Sequence, residues 1–495
     1  MRLILDQAGQ ANNQPGIIFL KKLVMLLAAA AVALIINFLP LQIFNNDGLD
    51  TLLTLEGKAA LAILSFVIIL WITEVVPFVI AALTGILLVP LFGLVPFKET
   101  VSYGFGNTVV VFFIGILIIS VGLTRSGLAD RLTGMILAKV GLNSRKLVFI
   151  FLLIGAVLSM WIVNMSVSAI LLPIALNILH KCKALPLKSN FGRALMISVA
   201  WGPAIGGIST PVGNGANIVA LGYLRELAGI DINFLSWMTV GVPAAILILP
   251  LSYLILIKIF PPEPLADGLE ESTVLTGNRG EKIEMTAVEK KALVIFLLAV
   301  IFWVGDPLLI RLTGVSIPIE IVALSAAVLF FLPGIEIISW KEAQKNIDWG
   351  AIVLIAAGLS LGAVVYETGA AAWLASTAFS PLGEFTPAVR IFLAVLAVEL
   401  LKVFFSSNTV TGVIMVPLVI ALSVKMSIDP WMLAGPVAIA TSLAFLLVTS
   451  SPTNVIPYSS GYFSIRDFLK AGLPLTLLVP FAVTASFLIF GAFLR

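Results

Sequence analysis

Apolar runs long enough to cross a bilayer recur along this chain from Leu23 to its C-terminal end. A spanning helix needs about 20 such residues. A chain in which they follow one another almost without pause is solvated mostly by lipid. Its backbone must then satisfy its own hydrogen bonds, which leaves the α-helix as the main element. Composition agrees: 60% of residues are hydrophobic and 11% are charged, where a soluble chain carries about a quarter charged. The mean hydropathy is +1.13. The predicted fold class is an all-α polytopic membrane protein. Spanning helices are expected near 22–43, 57–74, 77–94, 107–124, 191–226, 236–259, 287–305, 317–333, 349–365, 432–461 and 471–494.

The net charge of +3 is not gathered into a stripe, so no nucleic-acid partner is expected. A lone cysteine, Cys182, rules out an internal disulfide, and a lone histidine, His180, rules out a multi-histidine metal site. Both are read as residues of a charged connector. The run Leu23 to Leu39, behind Lys21 and Lys22, reads as a retained helix and not a cleaved signal. The polar stretch 261–286 reads as a cytoplasmic linker that divides the chain almost in half.

Two apolar segments, 147–180 and 390–424, do not fit as simple spans. Each is too long for one helix and short for two. Each is broken near its middle by a polar, asparagine-bearing stretch, Trp161-Ile162-Val163-Asn164-Met165-Ser166 and Ser406-Ser407-Asn408-Thr409. Non-helical backbone at membrane depth needs protein or a wet cavity around it, so both are predicted to be re-entrant hairpins. Arg145, Lys146, Lys181, Lys183, Lys188 and Arg193 flank the first, which puts its ends on the cytoplasmic side. Glu384, Arg390, Lys425 and Asp429 flank the second, as expected of the outer face. Asp47, Asp50 and Glu56 outside, with Lys341, Lys345, Arg466 and Lys470 inside, complete the orientation. The count is eleven spans plus two hairpins, with the N-terminus inside and the C-terminus outside.

The halves also resemble each other. Asn164 to Pro173 lines up with Asn408 to Pro417, a proline following each asparagine nine residues later. Gly213-Asn214-Gly215-Ala216-Asn217 matches Ser450-Ser451-Pro452-Thr453-Asn454. The stretch Asn233 to Pro243 matches Ser464 to Pro474, and Arg125-Ser126-Gly127-Leu128-Ala129 matches Glu367-Thr368-Gly369-Ala370-Ala371. The same order with opposite deduced orientation predicts an inverted repeat, with a site at the repeat interface.

Each half then supplies a hairpin tip and a helix broken at 206–217 or 448–457. Broken helices offer unpaired N–H groups, which suit an anion, and unpaired carbonyls, which with Ser, Thr and Asn oxygens suit Na⁺. Asparagine, both donor and acceptor, can bridge the two. Glu74, Asp348 and Glu367 fall near membrane ends. Glu399 and Lys402 are three residues apart on one arm of the second hairpin; mutual neutralisation is the simplest reading, and a role for Lys402 at a cation site is the alternative.

At these motifs the sequence resembles the divalent anion/sodium symporter family, which includes sodium-coupled di- and tricarboxylate carriers. The family's Ser-Asn-Thr hairpin tip is matched by Ser407, Asn408 and Thr409, and its second broken helix by Ser451-Pro452-Thr453-Asn454. The resemblance implies a homodimeric elevator in the bilayer that carries a small anion. Its scaffold would comprise 1–140 and 287–386, and its transport domain 141–260 and 387–495. Arms near 127–140 and 367–379 would join them. It implies substrate contacts from Asn164, Ser407, Asn408, Thr409 and Pro452, with Asn214 near them. It implies sodium sites at Ser159, Asn164 and the Gly213 backbone, and at Asn408 and the backbone near Ser450. The first tip departs from the pattern, reading Val163-Asn164-Met165, and Asn214 stands where the family has a small hydroxyl residue. That leaves the first sodium site to backbone carbonyls, Ser159 and Ser166, or removes it.

The leading expectation is sodium-coupled uptake of a C4-dicarboxylate or citrate-like anion across a prokaryotic cytoplasmic membrane. Sulfate is an alternative cargo, and sodium-independent dicarboxylate exchange an alternative mode. A sodium/proton antiporter or arsenite carrier would carry a buried carboxylate within a broken-helix motif, and neither motif has one. An enzyme would need a nucleophile–base pair, a metal cluster or paired carboxylates; none is apparent, and no cofactor is expected beyond the sodium ion.

Overall fold

The structure, a computed structural model, describes residues 15–39, 42–43, 51–137, 143–265, 284–379 and 385–491. Asp47, Asp50, Glu384, most of the 261–286 linker, residues 138–140 of the first arm and both chain ends lie outside the described residues. Apart from a two-residue β-ladder, Gln42–Ile43 with Thr51–Leu52, the described elements are helical.

After the N-terminal helix Pro15–Phe38, the first half runs Leu55–Thr73, Phe78–Leu91, Phe97–Phe105, Thr108–Arg125, Leu128–Leu137, the successive helices Ser144–Ser159 and Asn164–Lys181, the broken helix Asn190–Gly206 and Gly215–Ala228, and Phe234–Ile259. The second half runs Ala287–Thr313, Ile319–Leu329, Trp340–Asn346, Trp349–Glu367, Ala370–Phe379, the successive helices Pro387–Leu401 and Asn408–Lys425, the broken helix Pro430–Thr441 and Pro452–Tyr458, and Ile465–Phe490. Element for element, the order recurs.

Helix starts are written in the sequence. Thr286 and Glu289 form a reciprocal capping box, with N–H···O distances of 3.2 and 2.7 Å. Ser464 and Asp467 form another. Asn233 caps its counterpart through the Ser236 N–H at 2.8 Å. The Asn233 and Ser464 blocks aligned by sequence are therefore the two caps of the last helix in each half.

Among the described residues, eight helices are long and apolar enough to span a membrane. Phe78–Leu91, Ile319–Leu329 and Pro430–Thr441 are apolar but shorter. The expected spans 191–226 and 432–461 are each interrupted, at 207–214 and 442–451, where Gly207 to Asn214 and Ser442 to Ser451 leave the α-helical path. The first span starts and stops earlier than expected, ending at Phe38. Two short helices, Phe97–Phe105 and Trp340–Asn346, occupy stretches read as connectors. At nine and seven residues they are too short to carry a recognisable apolar period. His180 lies in the last turn of Asn164–Lys181, and Cys182 caps that helix.

The halves interleave. Thr108–Arg125 packs on Ile319–Leu329, Phe97–Phe105 on Trp349–Glu367, Gly215–Ala228 on Asn408–Lys425, and Phe234–Ile259 on Ile465–Phe490. Close approach depends on small residues, as in membrane helix packing generally. A Cβ on Gly206 would sit 2.0 Å from the Ala156 carbonyl oxygen. The N-terminal helix and Ala287–Thr313 lie outermost, exposing Phe19, Phe38, Ile301 and Leu312 as a lipid-facing surface.

Candidate functional site

Both asparagines expected at the hairpin tips are the first residue of a helix, and both are buried, Asn164 at 3% and Asn408 at 8% exposure. The breaks in the neighbouring helices put two more helix starts beside them. Asn214 caps Gly215–Ala228 through the Ala216 N–H at 3.1 Å, and Ser451 caps Pro452–Tyr458 through the Thr453 N–H at 3.3 Å. Ser407 caps the second hairpin's inner helix through the Val410 N–H at 3.4 Å. The corresponding first-half residue, Val163, has no side-chain oxygen and forms no such cap.

In the first half, oxygens converge on Asn164. With its amide assigned so that every neighbour is satisfied, its nitrogen donates to the Gly213 carbonyl at 2.8 Å, Ser159 Oγ at 2.5 Å and the Pro203 carbonyl at 3.1 Å. Its oxygen accepts from Asn214 Nδ2 at 3.3 Å. This crowding needs glycines: a Cβ on Gly207 would lie 2.0 Å from the Asn164 side-chain amide, and one on Gly213 would lie 2.6 Å from the Ser159 carbonyl oxygen. Ser159, Asn164, Asn214 and Gly213, all singled out by sequence, are thus one cluster. Ser166 is half-buried in the first turn of the helix that Asn164 begins.

The second half is built differently. Lys402 Nζ donates to Asn408 Oδ1 at 2.5 Å and to the Thr441 carbonyl at 2.7 Å. Asn408 Nδ2 donates to the Ser442 carbonyl at 3.1 Å. Ser450 Oγ donates to the carbonyl of Lys402 itself at 3.1 Å. Lys402 and Glu399 are each 2% exposed. No ion pair within 4.0 Å joins them among the described residues, and Glu399 Oε1 has no hydrogen-bond partner. The mutual neutralisation suggested by the sequence is therefore not made through a direct ion pair. The lysine's hydrogen bonds run to the hairpin tip and the adjoining helix break.

The two halves meet through side chains that sequence reasoning did not place in the site. Ser442 Oγ donates to Asn217 Oδ1 at 2.7 Å, and Asn217 Nδ2 donates to the Gly207 and Thr210 carbonyls, both at 2.8 Å. Asn454 repeats the last pattern, donating to the Ala444 and Leu447 carbonyls at 2.7 and 3.5 Å, although its Oδ1 is without a partner. Asn217 and Asn454 therefore stitch the breaks shut. The aligned blocks ending in these residues carried that signal. Thr409 lies against Gly215, where a Cβ would approach its hydroxyl to 2.8 Å. Pro452 is exposed and Ser407 and Thr409 half-buried, so this face is open while the oxygens behind it are closed in.

Polar contacts also tie the tips to the ends and faces of Leu55–Thr73 and Thr108–Arg125. The Val163 N–H meets Ser120 Oγ at 3.4 Å, and Ser406 Oγ donates to the Glu74 carboxylate. Glu74, expected at a wet membrane end, is exposed and ends its helix with a left-handed φ of 51°.

Two solved structures share the fold at low identity. The YdaH transporter of Alcanivorax borkumensis matches with a TM-score of 0.54 at 13% identity, over 96% of this chain and 98% of that one. MtrF of Neisseria gonorrhoeae matches with a TM-score of 0.55 at 14% identity, over 98% and 97%. The sodium-dependent dicarboxylate transporter SdcS of Staphylococcus saprophyticus is 28% identical over 456 residues, 89% of this chain and 86% of its own. That of Staphylococcus aureus is 28% identical over 433 residues, 84% and 82% of the two chains. The sodium:sulfate symporter transmembrane region matches residues 20–494. The chain belongs to that family, and is accordingly a multi-pass membrane transporter and not an enzyme.

Proposed function

We propose that this protein is a secondary active, elevator-type transporter that carries a C4-dicarboxylate or citrate-like anion with sodium. One observation carries the reading: two asparagine-tipped hairpins and two broken helices, one pair from each half, come together through Ser442–Asn217 and Thr409–Gly215. Helix starts at Asn164, Asn408, Gly215 and Pro452 offer N–H groups and partial positive charge. Each such end favours an anion by about 0.3–1 kcal/mol, and more when partly buried. A two-fold arrangement of these ends suits a substrate with two carboxylates and needs no arginine. Asn164, Asn214, Ser407, Asn408, Thr409 and Pro452 would contact it.

Ser159 Oγ and the Gly213 and Pro203 carbonyls surround Asn164 closely enough for the amide, turned about its Cβ–Cγ bond, to offer its oxygen to a sodium ion. Serine, asparagine and backbone oxygens suit that hard cation. Val163 and Met165 withhold two hydroxyls but leave this set intact. The named relatives, sodium-dependent dicarboxylate transporters, agree with both cargo and ion.

The moving unit would be 141–260 with 387–495, carried past a scaffold of 1–140 and 287–386, in an inverted repeat with its N-terminus inside and two copies per assembly. The tight glycine packing of Gly202, Gly206 and Gly213 against the first hairpin's arm supports the grouping of 141–260 as one unit. Proteoliposomes test the function. Labelled succinate should accumulate with an inward sodium gradient and not in choline. Full uptake in choline that needs internal dicarboxylate would instead make the protein an exchanger.

A further inference from the structure

We propose that the Lys402 ammonium is a built-in cation in the second cation position, so that this protein takes its sodium at the first half alone. The inference rests on the transport reading above and sharpens its ion requirement.

In the first half the oxygens that surround the Asn164 amide at the tip come from two places: the end of the preceding arm, Ser159 Oγ, and the adjoining helix break, the Pro203 and Gly213 carbonyls. The second half has the same elements in the same order, and its corresponding oxygens are already engaged. Asn408 Oδ1, at the tip, and the Thr441 carbonyl, in the last turn before the break, both accept from Lys402 Nζ, at 2.5 and 2.7 Å. Ser450, which aligns with Gly213, donates its hydroxyl to the Lys402 carbonyl at 3.1 Å. Of the residues expected to hold a second sodium ion, Asn408 holds the lysine head group instead, and Ser450 bonds the same residue's main-chain carbonyl.

Chemistry and packing agree. An ammonium has three donors and no acceptor, so it needs the same inward-facing oxygens as a metal cation. A sodium ion sharing Asn408 Oδ1 and Thr441 O would lie within a few ångströms of a like charge in a poorly screened interior. Lys402 is 2% exposed, so its head group does not reach solvent. Glu399 lies one helical turn earlier, equally buried, but takes none of the lysine's hydrogen bonds; Glu399 Oε1 meets no donor at all. The lysine's hydrogen bonds therefore go to the site and not to the carboxylate. A purely structural lysine would lock the hairpin but leave the number of sodium ions unchanged.

The experiment measures labelled succinate uptake by proteoliposomes against external sodium for the wild type, Lys402→Ala, Lys402→Ser and Lys402→Met. A Hill coefficient reports up to the number of coupled sites. The expected coefficient is about one for the wild type. It should rise toward about two in Lys402→Ala and Lys402→Ser, which uncover Asn408 Oδ1 and Thr441 O, with half-maximal sodium raised about tenfold or more. Lys402→Met fills the space without charge and should transport poorly at every sodium concentration. A wild-type coefficient of about two, or sodium curves in the alanine and serine variants that match the wild type, would overturn the proposal, as would wild-type behaviour in Lys402→Met. Should the variants fail to fold, the wild-type coefficient decides alone. A wild type that takes up no succinate at any sodium concentration would count against the transport reading instead. The inference is then decided by sodium-over-choline thermal stabilisation in detergent, which Lys402→Ala should show by about 3 °C or more beyond the wild type and which an unchanged shift would refute.

Discussion

The two hairpin tips hold matched asparagines in unlike surroundings. Around Asn164, three oxygens converge and two glycines make room for them. Around Asn408, a buried lysine head group donates to the amide oxygen, a serine replaces the second glycine, and a serine cap and a threonine complete the tip. On the proposed reading, one duplicated architecture holds a dissociable ion in one half and a covalently attached one in the other. Backbone geometry is shared because helix breaks and caps fix it; ion chemistry diverges because one or two side chains decide it.

The largest effect is expected from Asn408→Ala. It removes the acceptor of a buried ammonium and the donor to Ser442 in one step, and unpaired buried groups of this kind are costly, at about 1–3 kcal/mol each and more when charged. Uptake should fall below about a hundredth of the wild type, with the protein still eluting at the wild-type position on size exclusion. Uptake near wild type would show that the second tip is outside the site.

Gly213→Ala separates the halves next. Its Cβ would lie 2.5 Å from Gly207 Cα and 2.6 Å from the Ser159 carbonyl oxygen, whereas the aligned Ser450 already carries a side chain. Overpacking of this sort costs about 1–3 kcal/mol. The expected outcome is a lower melting temperature and a sodium requirement raised about tenfold or more. Ser450→Gly should leave the sodium requirement unchanged. Equal responses would mean that both halves bind sodium alike.

Met165→Thr makes the first tip more like the second. Met165 is 38% exposed, so a threonine there meets no packing barrier. Succinate or sodium should bind a few-fold more tightly, by the single hydrogen bond of about 1 kcal/mol that a hydroxyl adds. No change in half-saturation would place that face away from the cargo.

The smallest effect concerns how each broken helix is anchored at its start. Glu263, beyond the membrane spans, is partly buried, which alone would raise its pKa. It nonetheless stays below the ordinary carboxylate range because the Phe191 and Asn190 N–H groups donate to it, both at 2.7 Å. A carboxylate with a depressed pKa stabilises the fold fully above its unfolded value, and that stability is lost as pH falls through the depressed one. The second half has Asp429 capping Trp431 instead. Glu263→Gln should slightly lower stability at neutral pH and flatten its acid-side decline, read by thermal melts across pH. An unchanged acid limb would leave the two starts equivalent.

Much of this was legible in the chain. Asn164 and Asn408 stood out because an asparagine in an apolar run must find partners or line a cavity, and the aligned blocks tied Gly213, Asn214, Ser450 and Pro452 to them. The short helices Phe97–Phe105 and Trp340–Asn346 were not legible, since two turns leave too little period to read. Asn217 was visible in its block, but its link to Ser442, 225 positions away, was not. Lys402 was visible as an intramembrane charge with an obvious neighbour at Glu399, and that neighbour takes none of its hydrogen bonds.

By itself, the sequence determined the solvent, the helical class, the duplicated order of elements and the four breaks. These follow from apolar run length, caps and helix-breaking residues, which act within a few positions of one another. Only the tertiary structure decided which oxygens face which charge. That choice depends on where two hairpins and two broken helices from separate halves come to rest, and on Thr441 presenting its carbonyl to Lys402 from 39 positions away. Local rules fix the backbone of both sites, and long-range packing makes one a pocket of oxygens around an amide and the other a pocket around an ammonium.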